Sequence, residues 1–129
     1  MAGIRRHRAW YLLAAALVAG CGSKASSPFA GAQATGPVQL EVESSHYNDT
    51  RIYALLDGTW IRLGLVTGLT KDRFTVPSQA LAVAGGFRIL VDPLGSSAAY
   101  LTEPIHASPG DALVLQIAAQ LHMSTWWRR

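Results

Sequence analysis

Apolar and polar residues alternate along much of the chain after residue 37, and this alternation predicts half-buried β-strands. In residues 38–44, VQLEVES, the side chains of Val38, Leu40 and Val42 fall on one side of a strand and polar side chains fall on the other. The run SQALAVAGG, 78–86, fits either one helical turn or a loop. The pattern predicts about seven short strands and no long helix in this part of the chain. The other strand-like runs are 51–56, 59–66, 73–77, 87–91, 98–107 and 112–120.

Turn-forming residues separate these strands. The pair Asp57-Gly58 lies between two apolar runs and is the strongest hairpin signal, because a type I′ turn needs positive φ at both central residues. The segments DPLGS, 92–96, and SPGD, 108–111, are further turn signals. Together they predict an all-β antiparallel sandwich over residues 38–120, immunoglobulin-like or transthyretin-like in outline. A small open barrel is the alternative.

The first twenty residues have a different pattern. Residues 1–8 carry positive charge, residues 9–19 (AWYLLAAALVA) are apolar, and Gly20 is small. This is the layout of a secretory signal peptide, so residues 1–20 are expected to be cleaved. The apolar run is much shorter than the ~20 residues that a permanent membrane-spanning helix needs.

The end of this segment holds the chain's single cysteine. Val18-Ala19-Gly20-Cys21 resembles the lipobox of bacterial lipoproteins. The resemblance implies a diacylglycerol on the sulfur of Cys21, cleavage just before it, and acylation, for example by palmitate, of the new amino group. Two or more acyl chains anchor a protein stably to a membrane. The alternatives are an ordinary signal peptidase site with a free cysteine, or a cysteine buried in the core.

Residues 21–37 are predicted to be the lipidated cysteine and a flexible linker. The segment after Cys21, GSKASSPFAGAQATGP, is rich in Gly, Ser and Ala, and such a chain has a root-mean-square reach of ~20–25 Å. The lipoprotein resemblance also bears on location. Gly22, rather than an aspartate, follows the cysteine, which favours the outer membrane over the inner one if the source has both.

Charge along the chain argues against one class of partner. The chain has eleven basic and eight acidic residues, but Arg5, Arg6 and Arg8 all precede Cys21. Without them the processed chain has eight residues of each sign, so its net charge is zero. Nucleic-acid binding depends on a concentrated field of Lys and Arg, and we therefore expect no nucleic-acid partner.

A second resemblance covers most of the chain after residue 37. Several short segments are similar to those of small uncharacterised bacterial lipoproteins with all-β mature domains. This resemblance implies a fold but supplies no catalytic residue. The segments are RLGLVTG (62–68), FTVP (74–77), DPLGS (92–96), Tyr100, EPI (103–105) and PGD (109–111).

The histidines and aspartates do not form a recognisable metal motif. His46, His106 and His122 lack the spacing that aims two imidazoles at one ion, and there is no second cysteine to help. We therefore expect no metal or cofactor, although a site built in space from His46 and His106 stays open. Asp49, Asp57, Asp92 and Asp111 all fall in predicted turns and lack the D-x-D-x-D pattern of a calcium loop.

Catalytic motifs are also missing from the sequence. Ser44, Ser45 and His46 lie near Asp49, but neighbouring residues in such a stretch point in different directions, so a turn is expected there. No G-x-S-x-G or phosphate-binding loop is present. The sequence favours a non-enzymatic binding or structural module of the cell envelope, with another envelope protein, a peptide strand or a glycan as its partner. The alternative is a lipid-anchored hydrolase whose site is assembled from separate loops. The candidate residues for that site are His106, Asp111 and Glu103.

The tryptophans of the processed chain offer two further candidate surfaces. For Trp60 we expect packing in the core or across strands, with an exposed platform for a sugar or peptide as the alternative. Residues 121–129 are predicted to be a C-terminal tail. This tail ends in Trp126-Trp127-Arg128-Arg129, a combination that suits anionic lipid, although a frayed end is favoured.

Overall fold

Two four-stranded β-sheets form the part of the chain that the computed structural model describes, residues 36–129. The predicted signal peptide, Cys21 and nearly all of the predicted linker lie outside these residues. The strands are β1 (Val38–Ser44), β2 (Thr50–Leu56), β3 (Thr59–Val66), β4 (Lys71–Val76), β5 (Arg88–Pro93), β6 (Tyr100–Leu101), β7 (Ala112–Ile117) and β8 (Thr125–Arg128). Two 3-10 helices, Ser78–Ala82 and Leu121–Met123, lie in the connections.

The first sheet has the strand order β4-β1-β7-β8 and the second has the order β3-β2-β5-β6. The prediction of an all-β sandwich is confirmed, and two separate sheets take the place of the alternative barrel. Two details differ from the prediction. The described residues form eight strands, and the pairing of β1 with β7 is parallel, whereas the other neighbouring strands pair antiparallel.

Strict alternation of burial explains why the strands stack as two layers. In β1 and β2 every second residue is buried and the residues between them are partly exposed. The apolar side chains of both sheets therefore meet in one core. Its largest fully buried members are Leu40, Ile52, Phe87, Ile89, Ile105, Leu113, Leu115 and Ile117.

The β2–β3 hairpin turns as predicted. Asp57 has φ 46° and Gly58 has φ 81°, the positive values that a type I′ turn requires. Further along the hairpin, Ile52 faces Gly64 while Tyr53 faces Arg62, so one extra residue of β3 forms a bulge. This bulge interrupts the regular edge of β3.

The segment from Pro77 to Gly86 contains one 3-10 helix followed by a turn. Pro77 precedes Ser78–Ala82, and Ala80 from this helix is buried against the core. Gly86 closes the segment with φ 78°. A Cβ atom there would lie 2.8 Å from the carbonyl oxygen of Ile105, so this tight crossing needs glycine.

The strand predicted for 98–107 is much shorter than expected. Only Tyr100–Leu101 pair as a strand, and Ile105 forms a single bridge with Phe87. Between them Thr102 accepts a hydrogen bond from the Ile89 amide through its hydroxyl, at 2.9 Å. Pro104 has no amide hydrogen, so a regular ladder cannot continue through it.

The predicted C-terminal tail is instead part of the sandwich. Strand β8 pairs antiparallel with β7, and Trp126, opposite Leu115, packs against the core. The Arg129 amide donates to the Ala112 carbonyl at 2.9 Å. The boundary placed at residue 120 was therefore wrong. Aromatic residues are good strand formers, and the inward side of Trp126 supplies the burial that holds the strand in place.

Candidate binding face

The outer face of the second sheet places aromatic, aliphatic and arginine side chains side by side. Inward positions of β2 and β5 hold core residues such as Ala54 and Ile89, so the alternate positions face outward. One row across the sheet consists of Trp60, Leu55 and Arg88, and the next consists of Arg62, Tyr53 and Leu90. We call these six residues the aromatic–arginine face.

A shallow groove crosses this face. Tyr53, Trp60, Leu90 and Asp92 line it, and its volume is about 300 Å³. Trp60 is 49% exposed, so of the two expected placements, in the core or across strands, the core placement is wrong. It lies across from Leu55 on the outer side of the sheet. Its diagonal neighbour is Tyr53, a spacing at which large aromatic side chains still interact.

Asp92 borders the groove and is held by an ion pair. Its Oδ2 atom lies 2.7 Å from Nη2 of Arg51, directly across the strand pair. Its Oδ1 atom makes no hydrogen bond within residues 36–129, and it remains available as an acceptor. The turn predicted around Asp92 begins later, since β5 runs through Pro93.

The outer face of the first sheet carries several ion pairs, and two open pockets of about 200 and 470 Å³ lie among them. Glu41, whose side chain is 13% exposed, receives hydrogen bonds from Arg73 Nε at 3.1 Å and from Arg129 Nη2 at 3.0 Å. Burial by itself raises the pKa of this carboxyl, but the hydrogen bonds and charges of the two arginines outweigh it and leave the pKa below its ordinary value. A carboxylate held on both oxygens is a structural group, and nothing in this arrangement points to a ligand.

The Ser44–Asp49 region is a loop built by local hydrogen bonds. His46 accepts the Asn48 amide on Nδ1 at 3.1 Å, and Asp49 Oδ1 accepts the amide of Gly68 at 3.0 Å. Ser44 Oγ lies 3.3 Å from the backbone of His46. The turn expected here is present, and its serine, histidine and carboxylate are engaged with backbone.

The three residues suggested for a hydrolase are not brought together. Asp111 Oδ2 accepts the Ser108 amide at 2.9 Å and lies 3.3 Å from Nε of Arg128. The ring of His106 lies against Gly86, and among residues 36–129 no hydrogen bond joins it to a carboxylate. Glu103 is exposed. Burial, and to a smaller extent the negative charge of Glu103, raises the pKa of Tyr100 above its ordinary value.

The three histidines considered as metal ligands lie in different parts of the fold. His46 follows the end of β1, His106 lies between β6 and β7, and His122 is in the second 3-10 helix. Within the described part of the chain no group of three or more His, Cys, Asp or Glu residues is placed to hold a metal ion. His46 and His106 are therefore not joined by a third such residue of this region.

The C-terminal tryptophans and arginines have structural contacts. Trp127 faces outward from the first sheet, opposite Val114, and is 41% exposed. Arg128 pairs with Asp111 and also donates to the backbone carbonyl of His106. These contacts contradict a frayed end. The helices of residues 36–129 are too short or too polar to cross a bilayer.

Comparisons with known proteins do not assign the chain to a family. No family model matches the chain, and no curated protein or solved structure matches it significantly.

Of the six residues of the aromatic–arginine face, the sequence analysis identifies only Trp60 as a candidate binding residue. The available signal for the others was the polar side of the alternating pattern, where Tyr53, Arg62 and Arg88 occupy positions next to apolar inward residues.

Proposed function

We propose that this protein is a lipid-anchored lipoprotein of the bacterial envelope, and that its sandwich domain is a non-enzymatic module binding a saccharide chain on the aromatic–arginine face. The anchor is Cys21, in the outer membrane if the source has one. The lipobox-like residues and the linker composition support the anchor. An immunoglobulin-like or transthyretin-like outline for the sandwich belongs to the same proposal.

The half-exposed ring of Trp60 beside the groove is the observation that carries the binding function. A sugar ring presents apolar C–H groups on its faces and hydroxyl groups around its rim. An exposed indole suits the faces, and a carboxylate oxygen suits the rim. Trp60 and Asp92, whose Oδ1 atom is available, line the same groove with Tyr53 between them in the strand order.

The edges of the second sheet favour a saccharide over a peptide strand. Strand addition needs a long, regular edge with unpaired backbone groups. Strand β6 has two residues, and β3 is interrupted by the bulge near Gly64. The side chains on the face of the sheet are therefore the better binding surface.

Substitution of Trp60 tests this proposal. Trp60→Ala in the full-length protein, purified in non-ionic detergent, is expected to weaken binding to envelope polysaccharide of the source bacterium at least about tenfold, or about 1.4 kcal/mol. Trp127→Ala is the matched control, because it removes a tryptophan of similar exposure, 41% against 49%, from the other sheet. Binding is measured by interferometry on immobilised polysaccharide. Absence of binding by the unsubstituted protein, or equal binding by Trp60→Ala, would contradict the proposal.

A further inference from the structure

The basic residues of the described region divide into two groups. Residues 36–129 contain seven lysines and arginines, and five of them form ion pairs with carboxylates. The other two, Arg62 and Arg88, form no ion pair or side-chain hydrogen bond within these residues. The ion-paired residues are Arg51, Lys71, Arg73, Arg128 and Arg129.

Both unpaired arginines lie on the aromatic–arginine face. Arg62 faces Tyr53 across one strand pair, and Arg88 faces Leu55 across the other. The two arginine positions are two strands and one row apart. The usual spacing between strands and the rise along a strand make this a distance of about 12 Å. The groove and its aromatic side chains therefore lie in a surface that has a cation on each side.

The charge of this face differs from that of the rest of the described region. Residues 36–129 hold eight acidic residues against seven basic ones. The strands of the second sheet place three arginines and one carboxylate, Asp92, on their outer side, and Asp92 is paired with Arg51. Asp57, in the turn between β2 and β3, lines a pocket together with Arg88, so the excess on this face is about one positive charge. A local excess of positive charge on a slightly acidic domain attracts anions to that face alone.

We infer that the saccharide bound by this face is anionic, with carboxylate or phosphate groups that pair with Arg62 and Arg88 while its rings stack on Trp60. This inference rests on the proposed function and specifies its ligand. Guanidinium groups form paired hydrogen bonds with carboxylate and phosphate alike, so the two anion types share one recognition chemistry. A neutral saccharide would leave both arginines without a counter-charge.

Chemical treatment of the polysaccharide separates the two sources of charge. The full-length protein is tested against untreated envelope polysaccharide, against the same material after reduction of its carboxyl groups to alcohols, and after removal of its phosphates. One of the two treatments is expected to weaken binding at least about tenfold. An effect of carboxyl reduction identifies a uronate-type ligand, and an effect of dephosphorylation identifies a phosphorylated one.

Removing the two cations gives the complementary test. Arg62→Gln with Arg88→Gln is expected to weaken binding at least about tenfold and to flatten its dependence on NaCl concentration. Lys71→Gln with Arg73→Gln removes the same charge from the other sheet and is expected to change binding less than about twofold. Arg62→Gln alone, at an exposed position, is a second variant that should fold normally and show part of the loss.

The outcomes separate this inference from the proposed function. If binding depends on Trp60 but survives both chemical treatments and the double arginine substitution, the ligand is neutral and the inference is overturned while the proposed function stands. If the untreated polysaccharide does not bind at all, the proposed function itself fails. If both double variants weaken binding equally, the effect is one of overall charge and the assignment to this face is wrong.

Discussion

Gly68 lies where the β3–β4 loop touches the β1–β2 loop. Its amide donates to Asp49 Oδ1 at 3.0 Å, and the next residue, Leu69, donates its amide to the His46 carbonyl at 3.0 Å. A Cβ atom on Gly68 would collide with the carbonyl group of Tyr47, and its next neighbour is the His46 oxygen at 3.2 Å. These obstacles are backbone atoms, which cannot rotate away as a side chain would.

We therefore expect Gly68→Ala to lower the free energy of unfolding by about 2–4 kcal/mol, since one loop must move from the other. Gly85→Ala is the matched control, because a Cβ atom there meets nothing within 4 Å. It is expected to be neutral or slightly stabilising. Urea unfolding of both variants measures the difference. Equal stability would show that the two loops are not in close contact.

Residues in two of the turns show which backbone requirements the local sequence predicts and which it does not. The positive φ values of Asp57 and Gly58 follow from a local signal, because the type I′ turn depends on those two residues. The need for glycine at position 68 depends on Tyr47, which is distant in sequence, so the local pattern gives no reason for it.

Strand β8 is the element that most changed the expected architecture. Trp126 packs inward against the core, whereas Trp127 is on the opposite side of the same strand. The two tryptophans are adjacent in sequence and differ in burial, so they form a natural pair for testing whether this segment is structural.

Trp126→Ala is expected to lower the free energy of unfolding by about 3 kcal/mol, because it leaves space in the core. Trp127→Ala is expected to cost about 1 kcal/mol, since its side chain is 41% exposed. Chemical unfolding followed by far-ultraviolet circular dichroism measures both. If neither substitution changes stability, the end of the chain is frayed as the sequence had suggested.

The strands that were predicted well are those with regular alternation. β1 and β2 are apolar at every second position, and their observed burial follows the same period. The short strands β6 and β8 have less of this signal. Contacts outside the local pattern set their limits. The hydroxyl of Thr102 takes the Ile89 amide and Pro104 has no amide hydrogen, so β6 is short, whereas the packing of Trp126 against the core stabilises β8.

At the scale of the whole molecule, the proposed anchor at Cys21 is the feature that would decide where the protein works. Cys21→Ser is expected to block lipidation and processing, so that the precursor keeps its signal peptide and incorporates no labelled palmitate. Ser23→Ala, two residues further on, is the control and should behave as the unsubstituted protein. Mass spectrometry of the mature N-terminus and labelling with palmitate measure the outcome. If Cys21→Ser is still processed and still sediments with membranes after a high-salt wash, the anchor is not at this cysteine.

The class of fold could be predicted from the sequence, but the aromatic–arginine face could not. Alternation indicates that a residue is on the outer side of a strand, yet it does not say which strands are neighbours. The row of Arg62, Tyr53 and Leu90 exists only because β2 lies between β3 and β5 in this register. Likewise, the absence of a carboxylate partner for Arg62 and Arg88 within residues 36–129 depends on where the carboxylates of other strands lie.

The parallel pairing of β1 with β7 also has a consequence for how the protein is made. Val42 lies opposite Leu115, so one edge of β1 stays without its partner until the segment around Leu115 has left the ribosome. Pairing between segments so far apart forms slowly. If the proposed secretion takes place, this slow pairing would favour an export-competent nascent chain, and the first sheet would be completed after export.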